Sequence, residues 1–461
     1  MEHYDAAIIG FGKGGKTLAG ALAAAGQHVA VIEQSPRMYG GTCINMACIP
    51  TKTLVHAAAL SQAQGGTFAE RAERYTAAVD EKDRVTGMLR GKNYHKIADL
   101  PAVDVIDGRA SFTDATHLSI EPTDAAIADA ATQHIEADRI FINTGARPFV
   151  PPIPGIDSPR VLVSETLLDL RDLPERLVVI GGGYIGLEFA SMYTNFGAKV
   201  TVIQDTEEFL PREDVAIAAA VLASLESRGI RVVRNACVVR IENEASQDVV
   251  VAEVAGIEER IPADAVLVAT GRRPNVEGLA LDKAGVELTE RGAVRTDEHL
   301  RTTAPNIHAM GDVAGGLQFT YVSLDDFRIV KDDLLGTGVR TTKNRGAVPY
   351  SVFLDPPFSR VGMTEEEARD AGFNVKLAEL PAAAIPKAQL LGKPVGLLKA
   401  IVDADTDRLL GAHLFCEESH EMINTAKLAI DVGLSYQVLR DAIYTHPTMS
   451  EAFNDLLATV K

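Results

Sequence analysis

Cysteine is scarce in this chain of 461 residues: there are four, too few for a disulfide framework. Any pair among them suits chemistry or metal binding better than stapling the fold. Basic residues are also in deficit, 45 against 63 acidic. The resulting charge of −18 would repel a phosphate backbone rather than neutralise it, which argues against nucleic acid as a partner. Long apolar runs are missing too. The charge-free stretch between Lys16 and Glu33 carries two Gly, a Gln and a His, which does not suit a bilayer span, so no membrane partner is expected. The opening Met1-Glu2-His3-Tyr4-Asp5 is acidic where a secretory leader is basic, and a cytoplasmic location is expected. What remains, 46% apolar and 23% charged, is the composition of a folded globular protein. Its length, about three times that of a 150-residue domain, calls for two or three domains.

Ala6-Ala7-Ile8-Ile9 is a short apolar run that ends in Gly10-Phe11-Gly12-Lys13-Gly14-Gly15. An Ala/Leu-rich helical stretch from Lys16 to Ala25 follows, then His28 to Ile32, ending at Glu33. The order is strand, glycine turn, helix, strand, acid. It returns at Leu177 to Ile180, Gly181-Gly182-Gly183-Tyr184-Ile185-Gly186, a helix through Asn195, and Lys199 to Ile203. Each half closes on a similar phrase, Ile140 to Pro148 and Val266 to Pro274, so the chain repeats internally as two related nucleotide-binding domains. The proline-rich stretch Pro148 to Pro154 reads as the crossing into the second domain and Arg272 to Gly278 as the way back. Asn306 to Asp312 falls in the returned first domain. From about Val348, strand-like Ser351 to Phe353 and Gly396 to Val402, then helices from Glu421 and Tyr436, form a third domain.

In each turn the first glycine allows the bend, the second lets a pyrophosphate approach the backbone, and the third lets helix and strand pack closely. One such match is weak evidence. Two, each between a strand and a helix, are not. The acid ending the second strand separates the sites. Glu33 stands where a carboxylate accepts from a ribose 2′-hydroxyl, whereas Gln204 occupies the matching place in the second site, followed by Asp205, Glu207 and Glu208 with no Arg or Lys before Arg212. A 2′-phosphate there would face acids, and a screened repulsion of about 1 kcal/mol is roughly fivefold in affinity, which favours NADH over NADPH.

Cys43 and Cys48 lie five positions apart in Gly40-Gly41-Thr42-Cys43-Ile44-Asn45-Met46-Ala47-Cys48. In an ideal helix that spacing separates Cα atoms by roughly 8 to 9 Å, beyond disulfide reach, so a bonded pair requires a distorted helix. On spacing alone, a redox pair and two packed thiols both stay open. Zinc is disfavoured because neither a second Cys pair nor a spaced His pair accompanies it, and no resident metal site is expected. Cys237 and Cys416 sit in strand-like runs and are expected in the core. His446 is followed five residues later by Glu451, an arrangement that would serve as a base for a thiol.

Together, Gly10 to Gly15, Gly40 to Lys52, Gly181 to Glu188, Thr270-Gly271-Arg272, Gly311-Asp312 and His446 to Glu451 resemble, in order and over nearly the whole chain, the pyridine nucleotide-disulfide oxidoreductases of the glutathione reductase and lipoamide dehydrogenase type. Within that family, Met38 to His56, Gly315 to Gly336, Val348 to Arg369 and Ser419 to Asn424 most resemble the bacterial reactive-chlorine-resistance flavoprotein group, a neighbour of mercuric reductase. The resemblance implies an α/β fold of two Rossmann-like doubly wound domains with a C-terminal α+β dimerisation domain. The FAD-binding domain would comprise 1–149 and 272–346, the NAD(P)H-binding domain 150–271, and the interface domain 347–461.

FAD would occupy the first site, against Gly10, Gly12, Gly15, Gly41, Thr42, Lys52, Thr144 and Gly145, with Glu33 on the adenosine ribose and Asp312 at the ribityl-pyrophosphate end. NADH would occupy the second, against Gly181, Gly183, Gly186, Gln204 and Gly271, with Tyr184 as a lid over the isoalloxazine. The resemblance makes Cys48 the thiol nearest the flavin and Cys43 the interchange thiol, pairs Lys52 with Glu188, and gives His446, oriented by Glu451, to Cys43 of the other subunit of a homodimer. The chain departs from the family pattern at Ala47, where Gly is frequent, at Thr51, where Ser is common, and at Tyr444, where lipoamide dehydrogenases carry a His. Ala47 adds a methyl within the turn and Tyr444 reshapes the acceptor mouth, which points away from dihydrolipoamide. With no thiol in 456–461, an acceptor is expected to reach Cys43 directly. With no Arg or Lys between Ile443 and Lys461, a bulky anionic disulfide is disfavoured. A compact oxidant or a thiophilic ion such as Cu²⁺ or Hg²⁺ fits two soft thiolates. The competing readings are a dihydrolipoamide or other small-disulfide reductase, an NADH oxidase in which the dithiol is a bystander, and a redox or metal sensor with little turnover.

Overall fold

The computed structural model describes residues 1–123 and 131–461. They form two compact units, the first built from Met1–Leu54, Ala77–Phe149 and Gly271–Arg345, the second from Val55–Thr76, Val150–Thr270 and Gly346–Lys461.

The first unit is organised on a parallel sheet ordered Val103–Asp107, Val29–Glu33, Glu2–Ile9, Gln133–Ile142. The last strand is shared along one edge. Its first half pairs antiparallel with His117–Glu121, and its last three residues pair parallel with Ile307–Ala309. Residues 6–9 and 29–32 of the two central strands are apolar without alternation because both faces are covered. Ala6 and Ile8 pack on one side with Leu18 and Leu22 of the helix Lys13–Ala24 and with Ile329 of Thr320–Leu335. Ala7 and Ile9 pack on the other, with Phe112, Ile135 and Ile140. The helix that was expected from Lys16 starts three residues earlier, directly after Gly12.

The second unit repeats the plan. Its parallel sheet is ordered Arg231–Val233, Lys199–Ile203, Arg176–Ile180, Ala265–Val268, Val161–Val163, with the helix Tyr184–Phe196 following the glycine turn. An antiparallel sheet of Ala236–Asn243, Asp248–Val254 and Ile257–Ala263 is inserted before the last crossover. The C-terminal part is an antiparallel sheet, Tyr350–Val352, Phe358–Gly362, Leu409–Phe415, Leu397–Asp403, Val375–Pro381, whose core includes the helices Ser419–Asp431 and Ala452–Ala458. The fold is therefore two doubly wound parallel-sheet folds plus an α+β domain. Among the described residues no helix is long and apolar enough to cross a membrane.

One expectation about the core fails. Cys416 is buried, but Cys237 is exposed. Strand geometry explains it: Ala236 turns inward, so Cys237 turns outward, opposite Glu253 and in line with Glu258 on a solvated face.

Candidate active site

The first glycine turn is held by one asparagine. Asn143 Oδ1 accepts from the Gly15 N–H at 2.9 Å, and its Nδ2 donates to the Met310 carbonyl at 2.8 Å, which ties the turn to the ends of two strands. A Cβ at Gly15 would lie 2.8 Å from that same Oδ1, and Gly10, at φ +105°, backs directly onto the Asn143 carbonyl. Glu33 ends its strand buried, accepting from the Phe11 N–H at 3.0 Å and the Ser35 N–H at 3.2 Å. Burial raises its carboxyl above the ordinary value, opposed by those N–H donors. A buried acceptor at the strand end, beside a helix that opens on glycine, fits the ribose and pyrophosphate of a dinucleotide. Thr144 and Gly145 are tied to Asn275: the Thr144 hydroxyl donates to its carbonyl at 2.6 Å and Gly145 O accepts its N–H at 2.9 Å. Asp312 lies in the turn Gly311–Ala314, its carboxyl raised by burial and moderated by Arg272.

The cysteine segment packs on this turn. Gly41, at φ +77°, brings its backbone so close to Gly12 that a Cβ would lie 2.7 Å from the Gly12 Cα. The distorted helix is two helices: Cys43 lies in Thr42–Asn45, Met46 breaks the geometry at φ −147°, and Cys48 opens Cys48–Gln64. The break removes the ideal-helix separation. Neither thiol is in a disulfide, and the Cys48 S–H donates to Cys43. That hydrogen bond, the Thr320 hydroxyl and the charges of Lys16 and Lys52 outweigh burial and bring the Cys43 thiol down to about 6. Asn45 fixes the segment, donating to the carbonyls of Tyr39 and Gly41 and accepting from Arg90 Nε at 2.8 Å.

Spacing and motif in the sequence do not mark Lys16 and Thr320, which the fold brings to Cys43. Lys16 follows the third glycine in an apolar helix. It is buried, donates to Asn93 Oδ1 and to the Gly40 carbonyl, and burial lowers its ammonium to about 8. A lysine inside an otherwise apolar helical stretch was the available signal.

In the second turn, Gly181 at φ +116° backs onto the Ala269 carbonyl, and a Cβ at Gly186 would lie 3.0 Å from Val179 Cγ1, whereas a Cβ at Gly183 meets nothing within 4 Å. That open cradle at the helix N-terminus fits a pyrophosphate. Gln204 is buried and its amide nitrogen donates to Thr206 O, Thr206 Oγ1 and Glu208 O, so it braces the acidic loop. The loop's surroundings are not purely acidic. Arg234, just beyond the neighbouring strand Arg231–Val233, donates to the Glu207 carbonyl at 3.3 Å. Only the parallel pairing of the strands brings it there. Tyr184 opens the helix, and its hydroxyl donates to Glu213. Glu188 accepts from the Phe353 N–H at 2.8 Å. His446 Nδ1 lies 2.8 Å from Glu451 Oε2, with Glu451 Oε1 accepting from the Thr448 N–H. The imidazole is exposed, and its bond lowers the Glu451 carboxyl.

The chain is similar to known proteins. Residues 4–326 match the pyridine nucleotide-disulphide oxidoreductase pattern and 348–457 its dimerisation domain. The chain is 51% identical over its full length to the full-length probable pyridine nucleotide-disulfide oxidoreductase RclA of Escherichia coli. It is 35% identical to a Staphylococcus aureus mercuric reductase, over 97% of this chain and 81% of that one. A solved Cu(II) complex of the HOCl-induced flavoprotein disulfide reductase RclA from E. coli matches with a TM-score of 0.93, covering both chains entirely.

Proposed function

The chain belongs to the pyridine nucleotide-disulphide oxidoreductase family, and from that premise we propose that it passes electrons from NADH through FAD and a Cys43–Cys48 disulfide to a small oxidant or a thiophilic ion such as Cu²⁺ or Hg²⁺. The observation that carries the reading is the Cys43 thiol, hydrogen-bonded by Cys48 and Thr320 and held below the ordinary thiol range on a segment packed against the first glycine turn. FAD, when bound, supplies a two-electron carrier between nicotinamide and disulfide. Glu33, the glycines Gly10, Gly12, Gly15 and Gly41, Thr42, Thr144, Gly145, Lys52 and Asp312 would hold it. Gly181, Gly183, Gly186 and Gly271 would hold NADH, with Gln204 turning its Oε1 toward the ribose.

Reduction breaks the S–S bond. Cys43 then leaves as the thiolate nucleophile, accepting from the Cys48 S–H, and Cys48 would be the thiol nearest the flavin. His446, held by Glu451, would take and return the Cys43 proton from the other subunit, which makes the homodimer part of this reading. The Lys52–Glu188 pair, Tyr184 as lid, the division into 1–149 with 272–346, 150–271 and 347–461, and a cytoplasmic setting belong to it as well. Support for a metal-ion acceptor comes from the relatives, a mercuric reductase and a Cu(II)-bound flavoprotein.

Anaerobic NADH titration tests the dithiol directly. The reading expects the parent protein to take up about twice as many reducing equivalents as Cys43→Ser before NADH accumulates. Equal uptake contradicts it.

A further inference from the structure

One buried carboxylate in the second unit has no part in the chemistry above. Glu213 has a fully buried side chain. Its Oε1 accepts from two phenols, those of Tyr184 and Tyr350, the latter at 2.6 Å, and its Oε2 faces Arg360 Nη1 at 3.6 Å. The two tyrosine rings lie 5.6 Å apart, and the Arg212 guanidinium covers the Tyr184 ring at 5.5 Å.

The two sides of this bond are not equally fixed. Glu213 is locked through its neighbours. The Arg212 carbonyl accepts from Arg360 Nη1 at 2.5 Å, and Arg360 is also held by Glu367. On the other side, Asp214 caps the helix Val215–Ser227 through the Ala216 N–H at 3.1 Å and pairs with buried Lys399 at 2.9 Å. Tyr350 stands on a strand of the C-terminal sheet. Tyr184, by contrast, is half-buried at the first position of its helix, directly after Gly183, where an added Cβ would meet nothing within 4 Å. A rigid acceptor therefore holds a partly exposed side chain beside the glycine cradle.

We propose that Glu213, anchored by Tyr350 and Arg360, is the latch that holds Tyr184 in its resting position, and that a nicotinamide nucleotide must break the Tyr184–Glu213 hydrogen bond to bind fully. This rests on the reading of Tyr184 as a lid. A latch of this kind lowers the fraction of molecules competent to bind, so apparent affinity falls by that fraction. Glu213 and Tyr350 are positioning residues, acting through Tyr184.

The test is the dissociation constant of NAD⁺ on the oxidised, FAD-loaded protein. Tyr184→Phe removes the bond and keeps the Glu213 charge; Glu213→Gln weakens the bond and removes the charge. Each is expected to tighten NAD⁺ binding by at least about threefold, the lower end for a charge-assisted hydrogen bond weakened rather than lost. Because both act on one bond, the double variant is expected to bind no tighter than the tighter single. Tyr184→Phe carries the test where Glu213→Gln does not fold. Unchanged or weaker binding in Tyr184→Phe, or effects that multiply in the double variant, overturn the latch. A parent protein that binds no NAD⁺ overturns the nucleotide reading and the latch with it, whereas a binding parent with unaltered variants overturns the latch alone.

Discussion

A thiolate needs a reason to exist at neutral pH, and Cys43 has several: the Cys48 S–H, the Thr320 hydroxyl and two lysine charges act against burial. Its thiol lies below the ordinary value, so the charged form persists down to about pH 6, and alkylation of the reduced protein by iodoacetamide should lose rate only as pH falls through that point. Lys16→Met removes a buried cation, and the midpoint of Cys43 alkylation should move upward. A midpoint that does not move would show that Lys16 serves only the Gly40 and Asn93 contacts. The cysteine pair was legible because five-residue spacing between scarce residues stands out. Lys16 and Thr320 were not, because their link to Cys43 exists only after residues 16, 43 and 320 have been brought together. Cys237 was misread for a different reason: a strand-like run does not say which of its alternating faces is buried.

At the scale of elements, both strand, turn and helix units were legible, since apolar strands covered on two faces run without alternation into glycine. The helix start was placed three residues late because Lys13 looked like part of a loop. The break between Thr42–Asn45 and Cys48–Gln64 has no marker in the sequence beyond the chemistry it permits. Gly41 ties that break to the first glycine turn, and Gly41→Ala combines a positive φ with a Cβ 2.7 Å from the Gly12 Cα. Such strain costs on the order of 1 to 3 kcal/mol, so the purified variant should carry severalfold less FAD than the parent, read from its visible absorbance. Full occupancy would mean that the two segments part without consequence. The loop after Gln204 gives a second expectation. Its acids should make kcat/KM for NADH exceed that for NADPH severalfold, and Arg234→Ala should widen the ratio by removing the basic group beside Glu207. Equal values for the two nucleotides would show that the acids face away from the ribose.

For the whole molecule, the internal repeat and the change of pattern near Val348 were readable as two nucleotide folds and a third domain. The proposed service of His446 to the other subunit does not follow from these residues alone, since an exposed imidazole held by Glu451 says nothing by itself about whose thiol it serves. Mixing Cys43→Ser and His446→Ala chains tests that service. Random hybrid dimers with one intact site should recover about a quarter of parent activity, whereas sites contained within single chains would recover none beyond the sum of the two variants. The most direct measurement for the account is anaerobic NADH oxidation by parent and Cys43→Ser proteins with Cu²⁺, Hg²⁺, glutathione disulfide and lipoamide offered in turn. The account predicts that a metal ion stimulates the parent well above either disulfide and that Cys43→Ser abolishes the stimulation. Lipoamide as the best acceptor by about tenfold, or metal-stimulated turnover that survives in Cys43→Ser, would contradict it.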